Sequence, residues 1–150
     1  MKRHSLAIVA GGLFLIAASC KSADNNADKI AKDFCNCFSD MEKNFSSDSK
    51  KIFIAAANAA DPTASIQNDL MALEPEKQQK VAEELQGVGD IENPNSSVGR
   101  CMKDVEKKYD NAYSMNQSKT MKKIIEELDK QGCDFTASLM KIGMKAKGMK

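Results

Sequence analysis

Two cysteines one residue apart, Cys35 and Cys37, constrain the fold of this 150-residue chain more than any other feature. They lie in a segment in which apolar residues recur every three or four positions, which predicts a first helix that opens at Asp28. The apolar positions are Ile30, Phe34, Phe38, Met41 and Phe45. Because each residue of an α-helix advances by about 100°, Cys35 and Cys37 project about 200° apart and flank this apolar stripe. A single helix can therefore be bonded covalently to two different neighbours.

The first nineteen residues have the pattern of a secretory signal. A basic start at Lys2 and Arg3 precedes an apolar run over residues 6–18. This run is too short to span a bilayer as a stable helix, and small residues follow it. We therefore expect residues 1–19 to be removed and residues 20–27 to form a short tether. Ordinary cleavage near Ala18, which would leave Cys20 as a free thiol, is the alternative interpretation.

Small residues directly precede Cys20, in the order Ala17-Ala18-Ser19, and they resemble the lipobox of bacterial lipoproteins. The resemblance implies that Cys20 becomes the N-terminus and carries acyl chains that hold the protein on a membrane. Lys21 follows in place of the Asp that retains enterobacterial lipoproteins in the inner membrane, so the resemblance implies the outer membrane. With its Cys-x-Cys helix, the chain is similar to small cysteine-bearing helical lipoproteins of Gram-negative envelopes.

Composition excludes several classes of function for the processed chain. Loss of Lys2 and Arg3 leaves 20 of the 22 basic residues against 21 acidic ones, a formal net charge of −1. A balance this close to neutral argues against a nucleic-acid partner. The only histidine, His4, is lost as well, which excludes histidine-based nucleophile activation, acid–base catalysis and metal binding. We therefore expect no enzymatic activity, no cofactor and no bound metal.

Four cysteines remain in the processed chain beside the acylated one, and an even number in an exported protein predicts disulfides. They are Cys35, Cys37, Cys101 and Cys133. A bond between Cys35 and Cys37 is excluded, because a helix holds their side chains apart and the required Cβ separation of about 3.8 Å is out of reach. Of the two remaining connectivities we favour Cys37 with Cys101, which borders the apolar stripe of its own helix. Cys35 then pairs with Cys133 at a predicted helix corner.

Two other uses of these sulfur atoms compete with disulfides. A four-thiolate zinc site needs converging cysteines, yet only Cys35 and Cys37 are close in sequence and the compartment is oxidising. A thiol–disulfide or Cu(I)-handling role is the second rival, since thiolates and thioethers bind Cu(I). The methionines that would join such a site are Met140, Met144 and Met149. Apolar surroundings raise the pKa of a thiol, so the position of the two cysteines between Phe34 and Phe38 favours a structural role.

No segment alternates apolar and polar residues, so the sequence predicts an all-α, single-domain bundle of about five to six helices over residues 28–147. The segment 50–60 is apolar nearly all round and is expected to be a central helix with Asp48 or Ser49 as its N-cap. Further helices are expected to begin near residues 62, 76, 97 and 118. Gly87 is the predicted left-handed terminator of the helix before it. The apolar spacing permits one long helix from residue 118 to about residue 146, but we favour a break at Gly132, with a new helix after it.

These patterns predict a lipid-anchored protein of the cell envelope with a non-enzymatic binding or protein-interaction role. The expected partners are the membrane, through the anchor, and another envelope protein or a small ligand. The alternative is a thiol–disulfide or Cu(I)-handling envelope protein built on Cys35-Asn36-Cys37 and the methionines.

Overall fold

A computed structural model describes residues 26–109 and 118–149 of the chain. Within these ranges the protein consists of α-helices, one 3-10 helix and connecting turns, with no strand. The α-helices are α1 (Ala27–Lys43), α2 (Ser47–Asn58), α3 (Pro62–Met71), α4 (Pro75–Gln86), α5 (Ser97–Lys108), α6 (Ser118–Lys130) and α7 (Asp134–Ala146). The 3-10 helix covers Gly87–Ile91 and follows α4 directly. The predicted all-α fold is confirmed, whereas the expected number of helices was slightly too low.

Two prolines explain why residues 47–86 form three short helices. Pro62 and Pro75 each occupy the first turn of a new helix, where a missing N–H costs nothing. Asp61 caps α3, because its carboxylate accepts a hydrogen bond from the Ala64 N–H at 3.0 Å. Each Asp-Pro or Glu-Pro pair therefore ends one helix and begins the next.

Helix α1 is the centre of the bundle, and α5, α6 and α7 pack around it. Its buried side chains recur along one face and continue the predicted stripe: Ala27, Ile30, Ala31, Phe34, Cys37, Phe38 and Met41. Full burial of a side chain as large as Phe34 or Ile30 contributes about 1.5 to 3 kcal/mol. The predicted first helix and its core-facing residues are confirmed.

A left-handed glycine separates α6 from α7. Gly132 has a φ of 72°, and the Cys133 N–H donates back to the Leu128 carbonyl at 3.0 Å. This geometry reverses the chain after α6 and confirms the predicted break. Glycine takes this conformation without the steric cost that a Cβ atom adds.

The prediction for Gly87 was wrong. This residue has a φ of −62°, in the right-handed region, and the chain runs on into the 3-10 helix. A glycine permits a left-handed conformation but does not require one, and here the chain continues in a tighter helical turn. The helix that begins at Ser97 ends at Lys108, and residues 110–117 lie outside the described ranges.

Two predictions for α2 were also wrong. Its N-cap is Ser46, whose hydroxyl accepts a hydrogen bond from the Ser49 N–H, so the helix begins before Asp48. It buries one face only, and Ile54 on the opposite side is 38% exposed. Apolar residues all round the helix suggested a central position. That position belongs to α1, which packs against α5, α6 and α7.

The helices α3 and α4 form an outer layer that packs against α2. α3 contributes no buried side chain, and α4 contributes only Val81. Buried residues Ile52 and Ala56 of α2 lie outside the main core cluster, as does Val81. The outer layer is therefore held by much less apolar burial than the helices around α1.

Candidate functional site

Two disulfides bind α1 to its neighbours. Cys37 is bonded to Cys101 of α5, with the two Cα atoms 5.6 Å apart. Cys35 is bonded to Cys133, at the start of α7, across a Cα separation of 5.9 Å. These are the two pairs that the sequence predicts, and both separations lie within the ordinary range for disulfides. A helix that carries two cysteines on opposite flanks is thereby joined to two different helices.

The four bonded cysteines line the edges of the core. Cys37 and Cys133 are buried, while Cys35 and Cys101 are half-buried against the same apolar cluster. A sulfur atom in a disulfide is neither a thiolate nucleophile nor a thiolate metal ligand. In this oxidised form the Cys35-Asn36-Cys37 segment therefore acts as a crosslink.

A polar cluster lies on α1 one turn from these bonds. The Asp33 carboxylate accepts hydrogen bonds from Lys108 Nζ at 2.7 Å and from the Tyr109 hydroxyl at 2.9 Å. Burial raises the pKa of Asp33, but the hydrogen bonds from Lys108 and Tyr109 outweigh it and the pKa lies below its usual 3.8. Burial, together with the bond to Asp33, raises the pKa of Tyr109. The cluster fixes the C-terminal end of α5 against α1.

A second polar cluster joins α4 to the start of α2, and we call Glu84, Ser46 and Ser49 the Glu84 clasp. One carboxylate oxygen, Glu84 Oε2, accepts hydrogen bonds from Ser46 N at 2.8 Å, Ser46 Oγ at 2.8 Å and Ser49 Oγ at 2.5 Å. Burial raises the pKa of Glu84, but these hydrogen bonds outweigh it and lower the pKa below 4.5. The carboxylate also lies at the N-terminus of α2, where a helix favours negative charge.

The adjacent carboxylates Glu83 and Glu84, and likewise Glu126 and Glu127, differ in their surroundings. Glu83 accepts a hydrogen bond from Gln79 on the outer side of α4, whereas Glu84 belongs to the clasp. On α6, Glu127 pairs with Lys130 at 2.6 Å while Glu126 is exposed. Neighbouring residues on a helix point to different sides, as expected from its geometry.

The methionines of the Cu(I) interpretation pack against the core. Met144 is buried, and Met140 and Met149 are half-buried on the main cluster. Among the described residues, no group of three or more His, Cys, Asp or Glu side chains converges to hold a metal ion. Residues 26–109 and 118–149 also contain no helix that is long and apolar enough to cross a membrane.

Two further features of the described surface are a depression beside α1 and an exposed apolar side chain on α3. An open depression of about 310 Å³ lies beside the first turn of α1, lined by Ala27, Asp28, Lys123, Glu126 and Glu127. On the outer layer Met71 is 68% exposed, which is a high value for a large apolar side chain. Cys20, the predicted lipidation site, lies outside the described ranges.

Sequence patterns missed the Glu84 clasp and the Asp33 cluster. Ser46 carries a local signal, because serine is one of the preferred N-cap residues of helices. Nothing in the sequence links Ser46 to Glu84, which is 38 residues away, or Asp33 to Tyr109, which is 76 residues away. Both contacts depend on how the helices pack.

Comparison of the chain with protein-family models, with curated proteins and with solved structures found no match. The fold and the site together define the chain as an all-α domain whose central helix is crosslinked to two neighbours.

Proposed function

We propose that the protein is lipid-anchored at the cell envelope, through Cys20 in the outer membrane, and has a non-enzymatic binding or protein-interaction role. Its partner would be another envelope protein or a small ligand, and not a nucleic acid. The pair of disulfides on α1 carries this proposal. Such bonds form and persist in oxidising compartments. They therefore support the interpretation of residues 1–19 as an export signal.

The position of α1 is consistent with a domain held close to the lipid. α1 begins at Ala27, so six residues separate it from Cys20. Six residues reach at most about 20 Å when fully extended. Gln131 donates a hydrogen bond to the Asp28 carbonyl at 3.0 Å, so the end of α6 lies beside the start of α1. An anchor at Cys20 would turn this end of the domain towards the bilayer.

Exposed apolar side chains on α2 and α3 support a binding role. Met71 is 68% exposed and Ile54 is 38% exposed. Covering the exposed part of these side chains contributes a fraction of the about 1.5 to 3 kcal/mol that full burial gives, and methionine adapts its shape to different partners. Because α3 contributes no buried side chain, its surface can change contacts without disturbing the core.

The disulfides weigh against the thiol–disulfide or Cu(I)-handling alternative. Both cysteines of the Cys-x-Cys helix are bonded to other helices, so Cu(I) binding by thiolates would first require reduction of two bonds. A copper titration of the reduced protein without oxygen tests the alternative. Stoichiometric Cu(I) uptake that is lost in Cys35→Ser would favour it over the binding role.

The anchor is tested by mass spectrometry of the N-terminal peptide and by cell fractionation of Cys20→Ala. We expect a diacylglyceryl and acyl modification on Cys20, and we expect the variant to leave the membrane fraction or to accumulate as an unprocessed precursor. Ser22→Ala, two residues further on, is the matched control and should remain in the outer membrane. An unmodified Cys20 thiol on membrane-free protein would contradict the lipoprotein proposal.

The binding role is tested by photo-crosslinking in intact envelopes. A photoreactive residue at position 71 should give a discrete crosslinked product, while the same residue at Lys122, which is exposed on α6, should not. A second replacement at position 54 reports whether α2 shares the contact. Absence of any product from positions 71 and 54 would contradict the proposed interaction through these helices.

A further inference from the structure

The outer layer and the disulfide-bonded helices are held by different kinds of contact. Around α1, large side chains are fully buried and two disulfides add covalent bonds. The outer layer, α3 and α4, adds only Val81 to the buried set. Neither disulfide includes a residue of α2, α3 or α4. Apolar burial therefore contributes less to the attachment of the outer layer than to the packing of the helices around α1.

The main polar contact is the Glu84 clasp. Its three hydrogen bonds converge on a single oxygen of Glu84, and one of the donors, Ser49, is fully buried. Hydrogen bonds to a charged acceptor are stronger than those between neutral groups, and they weaken when the acceptor is protonated. A buried hydroxyl that loses its acceptor also raises the free energy of the closed form.

The other charged groups near the clasp are lysines and carboxylates of α1, α2 and α4, and most of them form ion pairs that do not include Glu84. On α4, Lys80 acts on Glu84 through its charge and Lys77 pairs with Asp48 of α2 at 3.5 Å. On α2, Lys50 pairs with Glu42 of α1 at 3.3 Å. Lys77 is exposed and Asp48 is half-buried at the protein surface, where ion pairs contribute little to stability. Glu84 is therefore the carboxylate whose protonation changes the attachment of α4 to α2.

We propose that the outer layer opens from α2 in acid, with the Glu84 clasp as the latch, while the disulfide-bonded helices stay folded. Opening would expose Val81 of α4 and the α2 residues Ile52 and Ala56, which are buried in the closed form and lie outside the main core cluster. The fold thus contains a local conformational switch that turns a small covered apolar surface into an accessible one.

The direction of the pH dependence follows from the hydrogen bonds. They stabilise the ionised carboxylate of Glu84, so its pKa is lower in the closed form than in the open form. The closed form is therefore favoured fully above about pH 4.5, the ordinary value, and its advantage is lost as the pH falls through the lower value of the closed form. Acid opens the layer, and neutral pH closes it.

Hydrogen exchange of the full disulfide-bonded protein, followed by mass spectrometry between pH 7 and pH 3, tests the proposal. Peptides from residues 62–86 report on the outer layer and contain no cysteine. After correction for intrinsic exchange, their protection should fall at least about tenfold more than that of α6 peptides, in line with the loss of a charged hydrogen bond. Glu84→Gln should already show this low protection at pH 7, and it should change less with pH.

Three variants distinguish the latch from a general loss of stability. Glu83→Gln, on the outer side of α4, should behave as the wild type. Ser49→Ala removes one donor to Glu84 and should move the opening midpoint to higher pH. Asp48→Asn should change the midpoint little. Wild-type protection of residues 62–86 in Glu84→Gln at pH 7, or an unchanged midpoint in Ser49→Ala, would overturn the proposal. So would equal loss of protection in α6 peptides.

Discussion

The Tyr109 hydroxyl donates a 2.9 Å hydrogen bond to the carboxylate of Asp33, 76 residues earlier in the chain. Lys108 donates to the same oxygen, so the last turn of α5 and the residue after it are both tied to α1. This contact lies before residues 110–117, which are outside the described ranges. It gives α5 a polar attachment to α1 in addition to the Cys37–Cys101 bond.

Tyr109→Phe should lower the unfolding free energy at pH 7 by about 1 kcal/mol, because a hydrogen bond to a charged group is lost from a partly exposed site. The pKa of Asp33 is lower in the folded state, so this contribution is complete above about pH 3.8 and is lost as the pH falls further. The difference between wild type and variant should therefore shrink towards pH 2. Urea unfolding at pH 7, 4 and 2 measures it, and a difference that stays constant with pH would contradict the role of Asp33.

Gly132→Ala should destabilise the protein by about 1 to 2 kcal/mol, the cost of a left-handed conformation for a residue with a Cβ atom. No atom lies within 4 Å of the position that this Cβ would take, so the effect isolates backbone strain from steric overlap. Gly143→Ala is the matched control, because Gly143 lies inside α7 and also has open space around it. The control should be neutral or stabilising by up to about 1 kcal/mol. Thermal melts of the two variants that shift in the same direction would contradict this assignment.

Short sequence patterns predicted the parts of the fold that depend on residues close together in the chain. Prolines at the first helical turn, the left-handed Gly132 and the apolar stripe of α1 all depend on residues within a few positions of each other. These three features needed no knowledge of how the helices pack. Helix geometry also excludes a bond between Cys35 and Cys37, but it leaves two connectivities, and the choice between them depended on which apolar stripes were expected to meet.

Features that depend on tertiary contacts could not be read from the sequence. The apolar composition of α2 suggested a central helix, yet Ile54 faces solvent because α1 occupies the centre. Gly87 can adopt a left-handed or a right-handed conformation, and its sequence context does not show which one the folded chain takes. Glu84 looked like one of many surface carboxylates until packing placed it at the start of α2. In each case the residue type limits the possible conformations and environments, and the tertiary contacts of the folded protein determine which one is adopted.

Lys145→Met should lower the stability of the C-terminal turn of α2 by about 0.5 to 1 kcal/mol, the usual effect of a cation at a helix C-terminus. Lys145 Nζ donates to the Ala57 carbonyl at 2.8 Å and to the Ala59 carbonyl at 2.6 Å, so it satisfies two backbone acceptors at that end. Lys147→Met is the control, since Lys147 is exposed beyond the end of α7. Faster hydrogen exchange of residues 55–61 in the first variant alone is expected. Equal exchange in both variants would show that Lys145 does not stabilise the C-terminal turn of α2.

The two disulfides should make the largest individual contributions to the free energy of unfolding. Their cysteines are 64 and 98 residues apart in sequence, and the chain-entropy model gives about 4 to 5 kcal/mol for loops of that size. Measured values are often smaller, so about 3 kcal/mol for each bond is a reasonable expectation. The buried core around α1 remains after reduction, because Ile30, Phe34 and Leu128 are held by packing rather than by sulfur.

Paired replacements by alanine separate the contributions of the two bonds. Cys37→Ala with Cys101→Ala, and Cys35→Ala with Cys133→Ala, should each lower the melting temperature by about 10 °C or more, given the size of the domain. Far-ultraviolet circular dichroism at 25 °C should still show a helical protein. Reductant should lower the melting temperature of the wild type further than either pair of replacements, and peptide mapping without reductant should recover the two predicted bonds. A reduced wild type that melts at the same temperature as the oxidised protein would contradict a stabilising role for the crosslinks on α1.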